Sequence, residues 1–168
     1  AGAQKNMGPA GTTLVIVKDE VLRKTNRTIP TMLDYTTHIK KGSMFNTPPV
    51  FPVYVSMLTL EWLKKNGGVE WIEKINQTKA DLIYGEIDRN PLFTGSAAIE
   101  DRSNMNVTFL LNDTSLKEPF NQMWQSAGCN GLKGHRSVGG FRASMYNALP
   151  LESVQVLVGV MQELEKKA

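Results

Sequence analysis

Apolar positions along this chain switch between two spacings. Phe51, Tyr54, Val55, Leu58 and Trp62 recur at helical intervals behind Pro48-Pro49, which predicts a helix with one apolar stripe. Asn66-Gly67-Gly68 supplies its C-terminal stop. A second helix is predicted from Ile72, Ile75, Leu82, Ile83 and Ile87, ending near Pro91. Residues 105–111 instead alternate, with Met105, Val107, Phe109 and Leu111 on one face, and predict a half-buried strand. A helix follows over residues 116–127, its start blurred by Pro119 and its end marked by Gly128-Cys129-Asn130-Gly131. Residues 141–145 alternate again. Pro150 then opens a last helix with the stripe Val154, Leu157, Val158, Met161 and Leu164. Strand, helix, strand, helix is an α/β pattern able to form a small domain of its own.

The first third of the chain reads differently. Residues 1–11 are small and rich in Gly and Pro, which suits a loop. Leu14-Val15-Ile16-Val17 is a short unbroken apolar run, and residues 12–17 predict a strand buried on both faces. Such a strand needs neighbours, and too few are visible here, so the rest of its sheet is expected in sequence outside this chain. Residues 19–24 suit one or two helical turns. Residues 25–49 carry many Thr, Asn, Pro and Gly and predict a long extended loop, a kind of segment that is usually functional.

Composition narrows the classes. With 41% hydrophobic and 21% charged residues the chain is ordinary for a soluble globular protein. No run approaches the length of a membrane span, and no signal peptide is visible. A net charge of +3, spread without dense basic blocks, argues against a nucleic-acid partner. A single cysteine, Cys129, cannot form an internal disulfide, and a cytoplasmic location is expected. Asn-x-Ser/Thr triplets at Asn26, Asn76, Asn106 and Asn112 carry no weight in that setting.

Three groups of residues could carry chemistry. Lys5 stands among small neighbours, directly before Met7-Gly8-Pro9-Ala10-Gly11. A lysine that attacks a carbonyl must lose its proton, and small neighbours let a bulky ring approach the backbone. Alone, Lys5 reads as a solvated loop lysine rather than a nucleophile. Asn46 and Thr47 offer an amide and a hydroxyl able to donate to a dianion, or simply form a turn before the proline pair. Arg142 falls on the strand face opposite Phe141, Ala143 and Met145, and its guanidinium could grip a carboxylate through two parallel hydrogen bonds. His135 and Arg136 sit between Gly134 and Gly139-Gly140, in a loop suited to close approach of a ligand or to plain surface charge.

The order of these residues adds more than each alone. Four segments, Ala1 to Gly11, Pro30-Thr31-Met32-Leu33-Asp34-Tyr35, Asn46-Thr47-Pro48-Pro49 and Gly134 to Asn147, together closely resemble the phosphoserine aminotransferase family. This is a branch of the class V aminotransferases with the fold type I architecture of pyridoxal-phosphate enzymes. The resemblance implies an α/β fold in two parts. Residues 1–68 would be the C-terminal part of the large cofactor-binding domain, including the Schiff-base lysine loop, and residues 69–168 the small C-terminal α/β domain. It implies pyridoxal 5'-phosphate as cofactor, Lys5 as the Schiff-base lysine and proton carrier, and Gln4 on the cofactor phosphate. Asn46 and Thr47 would reach that phosphate across a homodimer interface. Arg142 would bind the substrate α-carboxylate, with His135 and Arg136 near its phosphate or distal carboxylate. The implied reaction transfers the amino group of glutamate to 3-phosphohydroxypyruvate, giving phosphoserine and 2-oxoglutarate, in serine and possibly pyridoxine biosynthesis. The pyridinium-pairing aspartate and the ring-stacking aromatic of the family belong to a missing N-terminal half, so the chain alone is not expected to be competent.

Two other readings stay open beside this one. One is a different fold type I enzyme, of the alanine–glyoxylate aminotransferase or cysteine desulfurase type. The other is a non-catalytic dimerisation or anion-binding module. Weaker signals fall away. Gly131-Leu132-Lys133-Gly134 matches an RNA-binding glycine loop in only four residues, and no phosphate-loop ending follows. Cys129 has no paired base, and two histidines with one cysteine suggest no metal.

Overall fold

The computed structural model describes residues 1–22, 24–137 and 139–168. Arg23, inside the predicted turn at 19–24, and Val138, inside the glycine-rich block, lie outside the described residues. The chain divides into two compact units, Ala1–Lys65 and Asn66–Ala168.

In the first unit, residues 1–3 pair back on residues 12–14. A bridge joins Gly2 to Thr13, and Leu14 and Ala1 exchange hydrogen bonds. The predicted strand over 12–17 goes no further than this. Leu14, Val15 and Ile16 are exposed, Ile16 by 89%, and residues 14–18 have no strand assignment. A strand exists only through its ladder, and among the described residues nothing offers the run a second partner. A short 3-10 turn, Asp19–Val21, follows. Within the predicted loop at 25–49 the structure holds a 3-10 turn, Thr31–Leu33, and a helix α1, Tyr35–Lys40. The cause of α1 is local. The Asp34 carboxylate accepts from the Thr36 amide at 2.9 Å and from the Thr36 hydroxyl at 2.7 Å, capping the first turn. Helix α2, Val50–Lys65, forms where the stripe predicted it, yet none of its side chains is buried, and Phe51, Tyr54 and Trp62 stand exposed.

The second unit carries the core. Helix α3, Gly68–Arg89, is followed by β1, Phe93–Gly95, and β2, Asn106–Leu111. Helix α4, Lys117–Ser126, β3, Phe141–Ser144, and α5, Leu151–Lys167, complete it. The strands form one antiparallel sheet in the order β1-β2-β3. Val107 lies opposite Ala143 and Phe109 opposite Phe141, so one register buries all four on the same face. Phe109 stacks on Phe141 at 5.4 Å between ring centroids, and Phe120 from α4 meets Phe141 edge-on at 5.0 Å. The α5 stripe, Val154, Leu157, Val158, Met161 and Leu164, is buried throughout, as its spacing predicts. Strand β1 has no counterpart in the periodicity. Three residues are too few to show alternation, and its pairing with β2 creates it.

Candidate functional site

Lys5 sits at the tip of a tight turn. The Ala3 carbonyl accepts from the amides of both Met7 and Gly8, at 3.0 and 2.8 Å, and the Ala3 amide donates to Thr12 at 3.1 Å. Ala3 is 2% exposed, the one buried apolar residue among the described residues of this unit, so the turn has a fixed base while Gln4 and Lys5 face out. The Gln4 side chain lies back against Gly2. Beneath the turn runs an apolar groove of about 470 Å³, lined by Ala3, Met7 and Leu14 on one side and Val53, Met57 and Leu60 of α2 on the other.

Asn46 and Thr47 lie exposed in the same unit, just before α2. The Asn46 amide donates to the Thr47 carbonyl at 3.2 Å, which is the behaviour of a turn.

His135, Arg136 and Arg142 share one hairpin of the second unit. The Arg142 amide donates to Leu132 at 2.7 Å, and Gly134 donates to Gly140 at 2.9 Å. Gly139 then closes the tip on the His135 carbonyl at 2.8 Å. Residue 134 has to be glycine here, because a Cβ would meet the Gly139 carbonyl oxygen at 2.0 Å. The hairpin therefore lifts His135 and Arg136 to its tip, while Arg142 stands on the strand that leaves it. Within β3, Phe141 and Ala143 turn inward and Arg142 and Ser144 outward, as the alternation predicts. Thr108 lies directly opposite Arg142 on β2.

His135 is oriented by its own loop. Its Nδ1 lies 2.7 Å from the Ser137 hydroxyl and accepts from the Ser137 amide at 3.3 Å. A backbone amide can only donate, so Nδ1 is the acceptor and the ring carries its proton on Nε2. This tautomer presents an N–H donor, the polarity an anionic ligand requires.

Two side-chain groups of this unit went unread in the sequence. Asn106 gathers the hydroxyls of Ser144 and Tyr146 on its Oδ1, at 3.2 and 3.3 Å, along the same outer face as Arg142. Lys79 is fully buried on α3. The signal for Lys79 was legible, since it falls in step with Ile72, Ala80, Ile83 and Ile87 on a stripe otherwise apolar. Cys129 is half-buried, and burial pushes its thiol up from the usual value, which disfavours a thiolate nucleophile. The four-residue glycine match around Lys133 is an arm bridged to Phe141.

Comparison with known proteins identifies the family. The model of the aminotransferase class-V family matches residues 1–157. A phosphoserine aminotransferase of Flavobacterium psychrophilum is 71% identical over 99% of this chain, and one of Parabacteroides distasonis is 56% identical. The chain spans about half the length of these relatives, 47% and 48%. Among solved structures, a phosphoserine aminotransferase studied for radiation damage of its Schiff base superposes with a TM-score of 0.94 at 46% identity, over 99% of this chain and 46% of its own. A phosphoserine aminotransferase of Trichomonas vaginalis with bound PLP gives 0.89 at 38% identity, over 96% and 46%. With a family model that runs through nearly the whole sequence and relatives this similar along it, the chain belongs to the class-V aminotransferases.

Proposed function

We propose that the full-length protein containing this chain is a pyridoxal-phosphate-dependent phosphoserine transaminase. It would move the amino group of glutamate to 3-phosphohydroxypyruvate. The observation that carries the reading is the turn at Lys5, where one buried carbonyl, that of Ala3, gathers two amides and fixes the base from which the lysine projects. The names of the relatives, and the Schiff base and PLP named for two solved ones, support it.

The residues present fit such a cofactor. Lys5 offers an amine at an exposed turn tip, and Gln4, Asn46 and Thr47 offer neutral donors suited to a phosphate dianion. When bound, pyridoxal phosphate supplies the electron sink for the substrate's α-carbon. The rest falls to the chain. Lys5 would hold the cofactor through Nζ, and its amine would serve as the acid/base for the proton on the substrate's Cα. Arg142 grips the α-carboxylate with paired N–H donors, and His135 and Arg136 take the distal anionic group. Residues 1–68 would belong to the large domain and 69–168 to the small one. Homodimerisation, with Asn46 and Thr47 serving the partner's cofactor, a place in serine and pyridoxine biosynthesis and a cytoplasmic setting all follow from the same reading.

Exposed apolar residues in the first unit support a larger domain around it. Among the described residues Leu14, Val15 and Ile16 have no sheet, and α2 buries none of its side chains. The remaining half of the full-length protein would supply both.

Borohydride reduction of the full-length protein with its cofactor, followed by peptide mass spectrometry, is the test. The label is expected on Lys5, and Lys5→Ala is expected to lose turnover by at least about a thousandfold. A label on another residue, or full turnover in the variant, removes the assignment.

A further inference from the structure

Lys79 has no part in the chemistry proposed above, yet it makes three interactions unusual for a lysine. Its side chain is 0% exposed, in the middle of α3. The Nζ donates to the carbonyls of Met145, Tyr146 and Leu149, at 3.3, 3.1 and 3.1 Å. An ammonium has three N–H donors, and all three are used. No carboxylate pairs with it among the described residues. Burial pushes its ammonium below the usual lysine range. A lone buried cation is unfavourable where an apolar side chain would pack without penalty. Its use is therefore to be sought in what it ties down.

What it ties down is the segment that leaves β3. Met145 directly follows the strand that carries Arg142, and Leu149 directly precedes Pro150 and α5. One turn earlier on α3, the Asn76 amide donates to the Asn147 side chain at 2.8 Å, so two residues of one helix face hold the same segment. From the other side, the Met145 amide donates to Met105 at 2.8 Å. The hydroxyls of Ser144 and Tyr146 meet on Asn106. The exit of β3 is thus clamped between α3 and β2.

We propose that Lys79, seconded by Asn76, is a positioning residue for anion binding: it holds the Met145–Leu149 turn and through it the strand that presents Arg142. The tie runs from the longest helix of the unit, through three main-chain carbonyls, to a segment that begins three residues from Arg142. A bidentate grip on a carboxylate needs its two N–H groups aimed together, so freedom at that strand end weakens the grip without removing any group that touches substrate. This inference rests on the transaminase reading for its ligand class.

The test uses the full-length protein with cofactor and measures 2-oxoglutarate binding by calorimetry alongside transamination. Arg142→Ala is expected to abolish measurable binding. Lys79→Met is expected to weaken it about tenfold, and Asn147→Ala, which removes the tie to Asn76, about threefold. In each clamp variant KM for the dicarboxylate rises in step with its own loss of affinity while kcat and the cofactor's visible absorbance stay near wild type, a split that a loss of stability alone does not produce. Should Lys79→Met fail to fold, Asn147→Ala decides. Unchanged dicarboxylate affinity in the folded clamp variants, with only a lowered melting temperature, overturns the proposal. Dicarboxylate binding without transamination in the wild type sinks the functional reading and leaves the clamp standing. No binding in the wild type overturns both.

Discussion

Gly8 closes the Lys5 turn by lying directly on α2. A Cβ at this position would meet the Ser56 Oγ at 2.5 Å and its Cα at 3.0 Å. The Ser56 hydroxyl is itself buried with no hydrogen-bond partner among the described residues. The close approach, not any hydrogen bond from serine, sets the distance between turn and helix. Gly8→Ala is expected to destabilise the protein by about 1–3 kcal/mol, the usual penalty of overpacking, and to lower cofactor occupancy. Ser56→Ala should be neutral or slightly stabilising, and in the double variant it should recover part of the loss. Melting temperature and cofactor absorbance of the four proteins check this, and strict additivity would show that the contact is not what matters. The outward face of Arg142 and the inert setting of Cys129 were legible at this scale from the residues around them. The Gly8–Ser56 contact was not, because it joins positions 48 apart in sequence, and no periodicity encodes which serine a glycine will meet.

At the scale of elements, α3 combines an apolar stripe with a polar knot at its C-terminal end. Glu86 is buried and accepts from Arg89, Asn90 and Gln162, at 2.5, 2.8 and 3.1 Å. Burial alone would push its carboxyl up, but the hydrogen bonds from Arg89, Asn90 and Gln162 outweigh burial and hold it below the usual carboxyl value. The folded state therefore favours the ionised form. Its contribution is complete above the unfolded carboxyl value and is lost as pH falls through the lower folded value. Glu86→Gln is expected to lower stability at neutral pH by about 1–3 kcal/mol and to flatten the acid side of the stability profile. Calorimetric melting from neutral to mildly acid pH measures both, and a variant with the wild-type acid slope would contradict the assignment. Elements with their own period or cap were readable in this way. Helices α2, α3, α4 and α5 appear near their predicted bounds, and the Asp34 cap is the one local signal for α1 amid its Thr-, Pro- and Gly-rich surroundings. The strand at 12–17 was the reverse, a strong local pattern without a ladder to complete it.

Across the whole molecule the two units differ in what they bury. The core cluster lies entirely within residues 66–168, while the first unit leaves Ile16, Phe51 and Val50 more than two-thirds exposed. Exposed apolar surface on this scale marks an interface. Expressed alone, residues 66–168 are expected to melt cooperatively and to show dispersed amide resonances. Residues 1–65 are expected to show neither and to bind a hydrophobic dye. Cooperative melting of the first unit alone would contradict the view that its packing depends on chain beyond it.

Local chemistry determined a good deal here without any coordinates. Helical stripes, β alternation and the inward and outward faces of β3 follow from residue order, because each depends on neighbours a few positions apart. So does the resemblance that marks Lys5, which rests on residue order over short segments. Only the tertiary structure decided the antiparallel register that sets Thr108 beside Arg142, the extra strand β1, and the bond from Lys79 to a turn 66 or more positions away. These arise from pairing between distant segments. A side chain carries its own polarity in the sequence, but the partner it meets is chosen by packing.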